Sequence, residues 1–151
     1  MTVIHERVEQ ARQGHNPNVI CRVRSGWVVL GDYPFFRGYS LVLPDPVVGS
    51  LNDLSLTERA QFLTDMAAVG DGVLAITGAW RINYEILGNA EPALHAHVFP
   101  RFTHEPEVHR KAPIWLYDVA VRQGVPFDEK RDQPLMAAIR QYLESVDVAQ
   151  P

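Results

Sequence analysis

The residues of this chain best suited to chemistry gather in one stretch, NAEPALHAHVFPR, residues 89–101. His95 and His97 stand one residue apart on what reads as a strand. In a strand, residues two apart share a face. Ala93, His95, His97, Phe99 and Arg101 therefore fall on one side and Leu94, Ala96 and Val98 on the other. The second set is small and aliphatic, as expected beneath a helix, while the first is polar and basic. Three chemistries fit this pattern. Two imidazoles at this spacing can share a metal ion, but a zinc site needs a third or fourth ligand, and Cys21 or Asp32 would have to supply it without any recognisable spacing. A neutral imidazole can instead attack phosphorus while a second one handles the proton on the leaving group. The third reading is a half-buried polar strand without chemistry, which is the commoner circumstance for His-x-His alone. The Gly88-Asn89 turn before the strand offers backbone N–H groups and an amide to phosphate oxygens. Arg101 either adds a charge-assisted contact on the same face or ends the strand at the surface.

These residues need elements to hold them. Ile4, Val8 and Ala11 recur at helical spacing, with Thr2 available as N-cap and Gly14 as stop, so residues 3–13 read as a short helix. VICRV and WVVLGD flank Arg24-Ser25-Gly26, a turn signal, and read as a hairpin. YSLVLP follows as a third strand ended by Pro44 and Pro46. Ser55 and Glu58 form a capping box, after which Leu56, Ala60, Leu63, Ala67 and Leu74 give a long apolar stripe. Gly70 and Gly72 weaken that helix locally, and Gly78 is a natural stop. WRINYEIL and ALHAHVFPR are the next two strands. The chain after Pro113 is less regular, and a final helix is expected through Leu135, Ile139, Tyr142 and Leu143, entered at Asp132 with Pro134 in its first turn. Hairpin-connected strands with helices set between them predict an α+β fold, an antiparallel sheet with two helices packed on one face.

At 151 residues the chain suits one domain, residues 1–151, with a sizeable core. Hydrophobic residues at 46% and charged residues at 21% are ordinary for a soluble globular protein. No apolar run is long enough for a membrane span. The start MTVIHERVEQARQG has no apolar segment of the kind a signal peptide needs. Cys21 is the only cysteine, which excludes an internal disulfide and fits a reducing cytoplasm. A net charge of −4 argues against general affinity for nucleic-acid polymers or anionic membranes, but leaves room for a small anionic substrate in a locally positive pocket. Trp27, Trp80 and Trp115 are large enough to stack on a base, although tryptophan in a small domain more often serves core or interface.

ALHAHVFPR resembles the signature of the histidine triad (HIT) superfamily, in which three histidines alternate with apolar residues, often followed by Pro-Arg. GWVVLGDYPFFRGYSLVLP (residues 26–44) is similar to that family's nucleoside-binding strand, loop and strand, and NYEILGN (residues 83–89) to the strand and turn that lead into the triad. The resemblance implies a HIT-like antiparallel sheet, a homodimer, and hydrolysis or transfer at the α-phosphate of a nucleotide conjugate, dinucleoside polyphosphates first. A nucleotide-binding protein with little or no activity is the alternative. By position, His95 matches the nucleophile that becomes nucleotidylated, and His97 the histidine that contacts phosphate and assists the leaving group. Asn89 falls where a glutamine commonly binds phosphate oxygens, beside the Gly88 backbone. Asn83 resembles an upstream asparagine near the same site. Asp32 falls close to the residue that holds the ribose hydroxyls, its other reading being an Asx-type turn before Pro34. No cofactor and no metal are implied.

The chain departs from the pattern twice. Ala93 stands in place of the first histidine, leaving space that water or substrate could fill, and Tyr39 stands where another histidine often sits. In the family the nucleophile's other ring nitrogen donates to the backbone carbonyl of the first-histidine position, and Ala93 still supplies that carbonyl.

Overall fold

The computed structural model describes residues 1–151. Thr2 caps helix α1 (Val3–Arg12) through its hydroxyl, and Gly14 turns the chain out at φ 73°. Strands β1 (Val19–Val23), β2 (Gly26–Leu30) and β3 (Ser40–Pro44) follow. Helix α2 (Leu56–Thr77) opens on the Ser55–Glu58 capping box and closes on Gly78 at φ 72°. Strands β4 (Arg81–Glu85) and β5 (Ala96–Arg101) come next, then the short helices α3 (Glu107–Arg110) and α4 (Val119–Arg122). Helix α5 (Glu129–Ser145) ends the fold. It starts a turn earlier than Asp132, because Asp128 accepts from the Arg131 amide while Asp132 accepts from the Asp128 amide. This reciprocal cap makes Asp132 a first-turn residue and leaves Pro134 inside the helix.

The five strands form one antiparallel sheet in the order β1-β2-β3-β5-β4. One face carries Val28, Leu30, Val42, Ala96 and Val98 against Phe62, Val69 and Val73 of α2 and Leu135, Ile139 and Leu143 of α5. Two helices do share one face, but they are α2 and α5 rather than α2 and the N-terminal helix, which lies on the other side of the sheet. Each such side chain, once fully buried, contributes about 1.5–3 kcal/mol, so this layer fixes which way the alternating residues of every strand point. Gly70 belongs to the same packing. A Cβ there would fall 1.9 Å from the Tyr84 hydroxyl, so the glycine that weakens α2 by propensity lets β4 press against it.

The opposite face is covered differently. Helix α1 lies over its β2–β3 side, where Ile4 and Val8 cluster with Val29, Leu43 and Ala93. Asp45, just beyond β3, accepts from Arg12, Arg22 and the Trp27 indole, tying the end of α1 to the sheet. The segment read as irregular after Pro113 folds over the remainder of this face, with Phe36, Phe99, Ile114 and Tyr117 forming its own small core. No helix is long and apolar enough to cross a membrane.

Candidate active site

The strand that carries His97 is an interior one, lying between β3 and β4, with His95 just before it. Leu41 of β3 and Glu85 of β4 stand opposite His97, and Asn83 stands opposite Phe99. The ladder begins at Ala96 rather than Ala93. Residues 93–95 are held instead by single bonds, from the Leu94 amide to the Val48 carbonyl and from the Ala93 amide to the Glu91 carbonyl. The alternation read from the sequence persists through this stretch. Leu94, Ala96 and Val98 belong to the main core under α2 and α5, while Ala93 belongs to the cluster on the other face. Both histidines are buried, with 8% and 9% of their surface accessible.

His95 Nδ1 lies 2.7 Å from the Ala93 carbonyl oxygen. A carbonyl can only accept, so Nδ1 carries a proton, and in the neutral ring Nε2 is the nitrogen with the lone pair. A backbone group supplies this bond, so it does not depend on the side chain at position 93. The space expected beside Ala93 is not open. Ala93 is 1% accessible and packed in the apolar cluster to which α1 contributes Ile4 and Val8.

His97 sits in an aromatic frame. Its Nδ1 is 2.7 Å from the Tyr39 hydroxyl, its ring stacks on Phe99 at 5.3 Å between centroids, and the edge of Trp115 meets it at 5.4 Å. Tyr39 in turn stacks on Phe99 at 4.1 Å. Burial, and secondarily the neighbouring His95, push the His97 pKa down to about 4. Burial, followed by the carboxylates of Asp32 and Glu85, pushes the Tyr39 phenol well above its ordinary value. At neutral pH both groups are therefore uncharged. Trp115 is anchored by its indole N–H on Glu85 and by Arg122, whose guanidinium lies 5.1 Å over its ring.

A cavity of about 270 Å³ opens beside this frame, lined mostly by hydrophobic residues that include Tyr39, Phe99 and Trp115. Its polar lining comes from Asp32, Asn16, Asn18, Arg7, Arg122 and Gln123. Asp32 is half-exposed and engaged from α1 by Arg7 at 2.7 Å, with Asn18 at 3.5 Å. Asp32 thus reaches the site by way of the cavity, at some remove from the two imidazoles, which are not themselves among the lining residues.

The other candidates divide. Gly88, at φ 81°, and the exposed Asn89 lie in the connection from β4 to β5 that delivers His95, and the Asn89 side chain makes no hydrogen bond within the protein. Arg101 is placed otherwise than the sequence suggests. Only 3% of its side chain is accessible, and it donates to Glu105, to the carbonyls of His109 and Ala112, and to Asn83 Oδ1 at 2.7 Å. Burial works to raise the Glu105 carboxyl, but donors from Arg101, the Phe102 amide and Tyr117 outweigh it and hold the pKa below the ordinary value. Arg101 is thus a buried clamp that fastens residues 102–117 over the site, and it takes the Asn83 oxygen with it. Parity on the strand is as read from the sequence, but acceptors brought in by the chain beyond it occupy the Arg101 guanidinium, whereas Asn83 has only its Oδ1 engaged and lines a surface cavity with Arg101.

Sequence reasoning noted Tyr39 only as a departure and did not see its bond to His97, which joins residues 58 apart. Arg7, Asn18 and Arg122 were also missed, because nothing local marks them. No group of three or more His, Cys, Asp or Glu side chains is placed to hold a metal ion.

Among solved structures the chain is similar to several histidine triad proteins. One from Marinobacter aquaeolei VT8 matches with a TM-score of 0.73 and 21% identity, over 96% of this chain and 98% of that one. One from Bradyrhizobium japonicum matches at 0.68 and 25% identity, over 82% and 88%. A hypothetical histidine triad nucleotide-binding protein from Sulfolobus tokodaii strain 7 matches at 0.72 and 14% identity, over 94% and 93%. No protein-family model and no curated protein matches the sequence. The five-stranded antiparallel sheet and its helices are therefore the α+β fold that this chain shares with histidine triad proteins.

Proposed function

We propose that this protein is a nucleotide phosphohydrolase or nucleotidyl transferase that acts at the α-phosphate of a nucleotide conjugate, dinucleoside polyphosphates being the leading substrate class. The observation that carries this reading is the bond from His95 Nδ1–H to the Ala93 carbonyl, which makes Nε2 the nitrogen that bears the lone pair in the neutral ring. In this reading His95 Nε2 attacks phosphorus and the nucleotidyl-histidine is then resolved by water. The cavity beside Tyr39, Phe99 and Trp115 takes the nucleoside, and Asp32 on its lining takes the ribose hydroxyls. Asn89 and the Gly88 backbone supply donors to phosphate oxygens, which stabilise developing charge without reorganising. Ala93 takes the place of the first triad histidine. The attack itself calls for no metal, the imidazole being the nucleophile. The edge strand β4, with Tyr84 exposed on it and Trp80 and Leu87 exposed on either side, supports assembly as a homodimer.

The second reading, a nucleotide-binding protein with little or no activity, draws on the closure of position 93 by α1. Rapid quenching of the protein with diadenosine tetraphosphate separates the two. A gain of one nucleotidyl mass on the chain, absent in His95→Ala, supports the enzyme. Tight binding with no adduct and no turnover overturns it.

A further inference from the structure

The two histidines are held by different partners, and those partners impose opposite tautomers. The Ala93 carbonyl forces the proton of His95 onto Nδ1. His97 Nδ1 faces a phenol. Burial keeps that phenol protonated, and His97 Nδ1 is the one protein acceptor within hydrogen-bond distance of its O–H. The O–H therefore donates, Nδ1 accepts, and the proton of His97 sits on Nε2. One imidazole offers a lone pair and its neighbour, 4.9 Å away between ring centroids, offers an N–H. The place of Tyr39 is built for it. Its ring lies between Phe99 and the backbone of Gly31, where a Cβ would come within 2.4 Å of the ring.

We propose that the Tyr39–His97 pair makes the site a hydrogen-bond donor but not a proton donor toward the leaving group, and that it thereby selects conjugates whose leaving group departs as a phosphate anion over those that release an amine. This rests on the nucleophilic role proposed for His95. Attack forms a bond between His95 Nε2 and phosphorus. The bond from phosphorus to the bridging oxygen breaks, and its electron pair leaves on that oxygen. A phosphate whose last proton titrates near pH 6 needs no proton to depart at neutral pH, so the Nε2–H of His97 only has to hydrogen-bond it. Water then attacks phosphorus, the pair of the P–N bond returns to His95 Nε2, and the proton lost by water goes to solvent. An amine leaving group instead has to receive a proton as it departs. With its pKa lowered to about 4, His97 is cationic in only roughly one molecule in a thousand at pH 7. Nor can the neutral ring pass its proton on, because reprotonation from Tyr39 would leave a buried phenolate.

Two measurements test this. Nitrogen-15 NMR of the unaltered protein at pH 7 is expected to show His97 with a proton on Nε2 and a bare Nδ1, and His95 with the reverse. A proton on Nδ1 of His97, or on both of its nitrogens, overturns the proposal whatever the activity. Turnover is then compared on diadenosine tetraphosphate and adenosine 5′-phosphoramidate. The polyphosphate is expected to react at least about 10²-fold faster, following the scarcity of cationic His97. In Tyr39→Phe, which keeps the ring, the polyphosphate rate should fall roughly tenfold for the loss of one hydrogen bond. The selectivity should narrow, and the His97 tautomers should mix. Equal rates on the two compounds, or a Tyr39→Phe variant with unchanged selectivity, overturn the selection. If neither compound turns over, the selectivity falls together with the hydrolase reading, while the tautomer assignment stands or falls on the NMR alone.

Discussion

The carbonyl oxygen of Ala93 lies 2.7 Å from Nδ1 of His95, so Ala93 orients the nearby histidine through its backbone. Its side chain does something else, filling a place in the cluster of Ile4, Val8, Val29 and Leu43. Placing a histidine at position 93 should therefore harm the protein. Ala93→His is expected to cost about 1–3 kcal/mol by overpacking and to lower the rate of His95 nucleotidylation. Urea unfolding and single-turnover labelling check both. A variant that is as stable as the parent and faster would mean that α1 yields readily at this point.

The two histidines should fail in different ways. His95→Ala removes the covalent route and should abolish the nucleotidyl adduct. His97→Ala removes one donor and should slow turnover by about 10²–10³-fold while the adduct still forms. Quenched-flow labelling of both variants measures this, and equal, mild losses would exchange or dissolve the assigned roles.

Gly31 offers a route to the site that leaves every polar group in place. A Cβ there meets the Tyr39 ring at 2.4 Å, backbone against a rigid aromatic, so Gly31→Ala should push Tyr39 off His97. The expected result is the mixed His97 tautomer of Tyr39→Phe, seen by nitrogen-15 NMR, together with lower stability. An unmoved His97 signal would show that the ring can slide without losing its bond.

Arg101 should matter to folding rather than to substrate. Removing one partner of a buried ion pair leaves the other charge uncompensated, at a cost of about 3–5 kcal/mol. Arg101→Met is expected to lose about that much in urea unfolding, with part of it recovered in the double variant with Glu105→Leu. If Arg101→Met were as stable as the parent but weak in nucleotide binding, the clamp would have been read wrongly.

His97 also makes stability depend on pH. Its folded pKa, about 4, is below the ordinary histidine value of about 6.5, so between these limits the unfolded chain binds more protons than the folded one. Stability therefore rises with pH across this window. Its full value is present above about pH 6.5 and the loss is complete once pH falls through about 4. The slope is at most roughly 1.4 kcal/mol per pH unit. Urea unfolding at pH 7, 5.5 and 4.5 should show the decline in the parent and a shallower one in His97→Gln. Parallel declines would place the titrating group elsewhere.

Periodicity and punctuation in the sequence determined most of the frame. Thr2, the Ser55–Glu58 box, Gly78 and the prolines at the end of β3 and just beyond it set their elements by local hydrogen bonding and backbone sterics, forces that act within a few residues. The alternation through Leu94–Val98 decided which side of β5 faces the helices, because a strand one register out would bury its histidines in the main core. Tertiary structure alone decided what each site residue does. Arg101 and His97 lie on the same face of the same strand, yet one is closed in by acceptors from residues 105–112 and the other meets a phenol 58 residues away. Local pattern says which way a side chain points. What waits for it there depends on β3 lying beside β5, on α1 crossing position 93 and on the fold of the chain beyond Arg101, and these are contacts between segments distant in sequence.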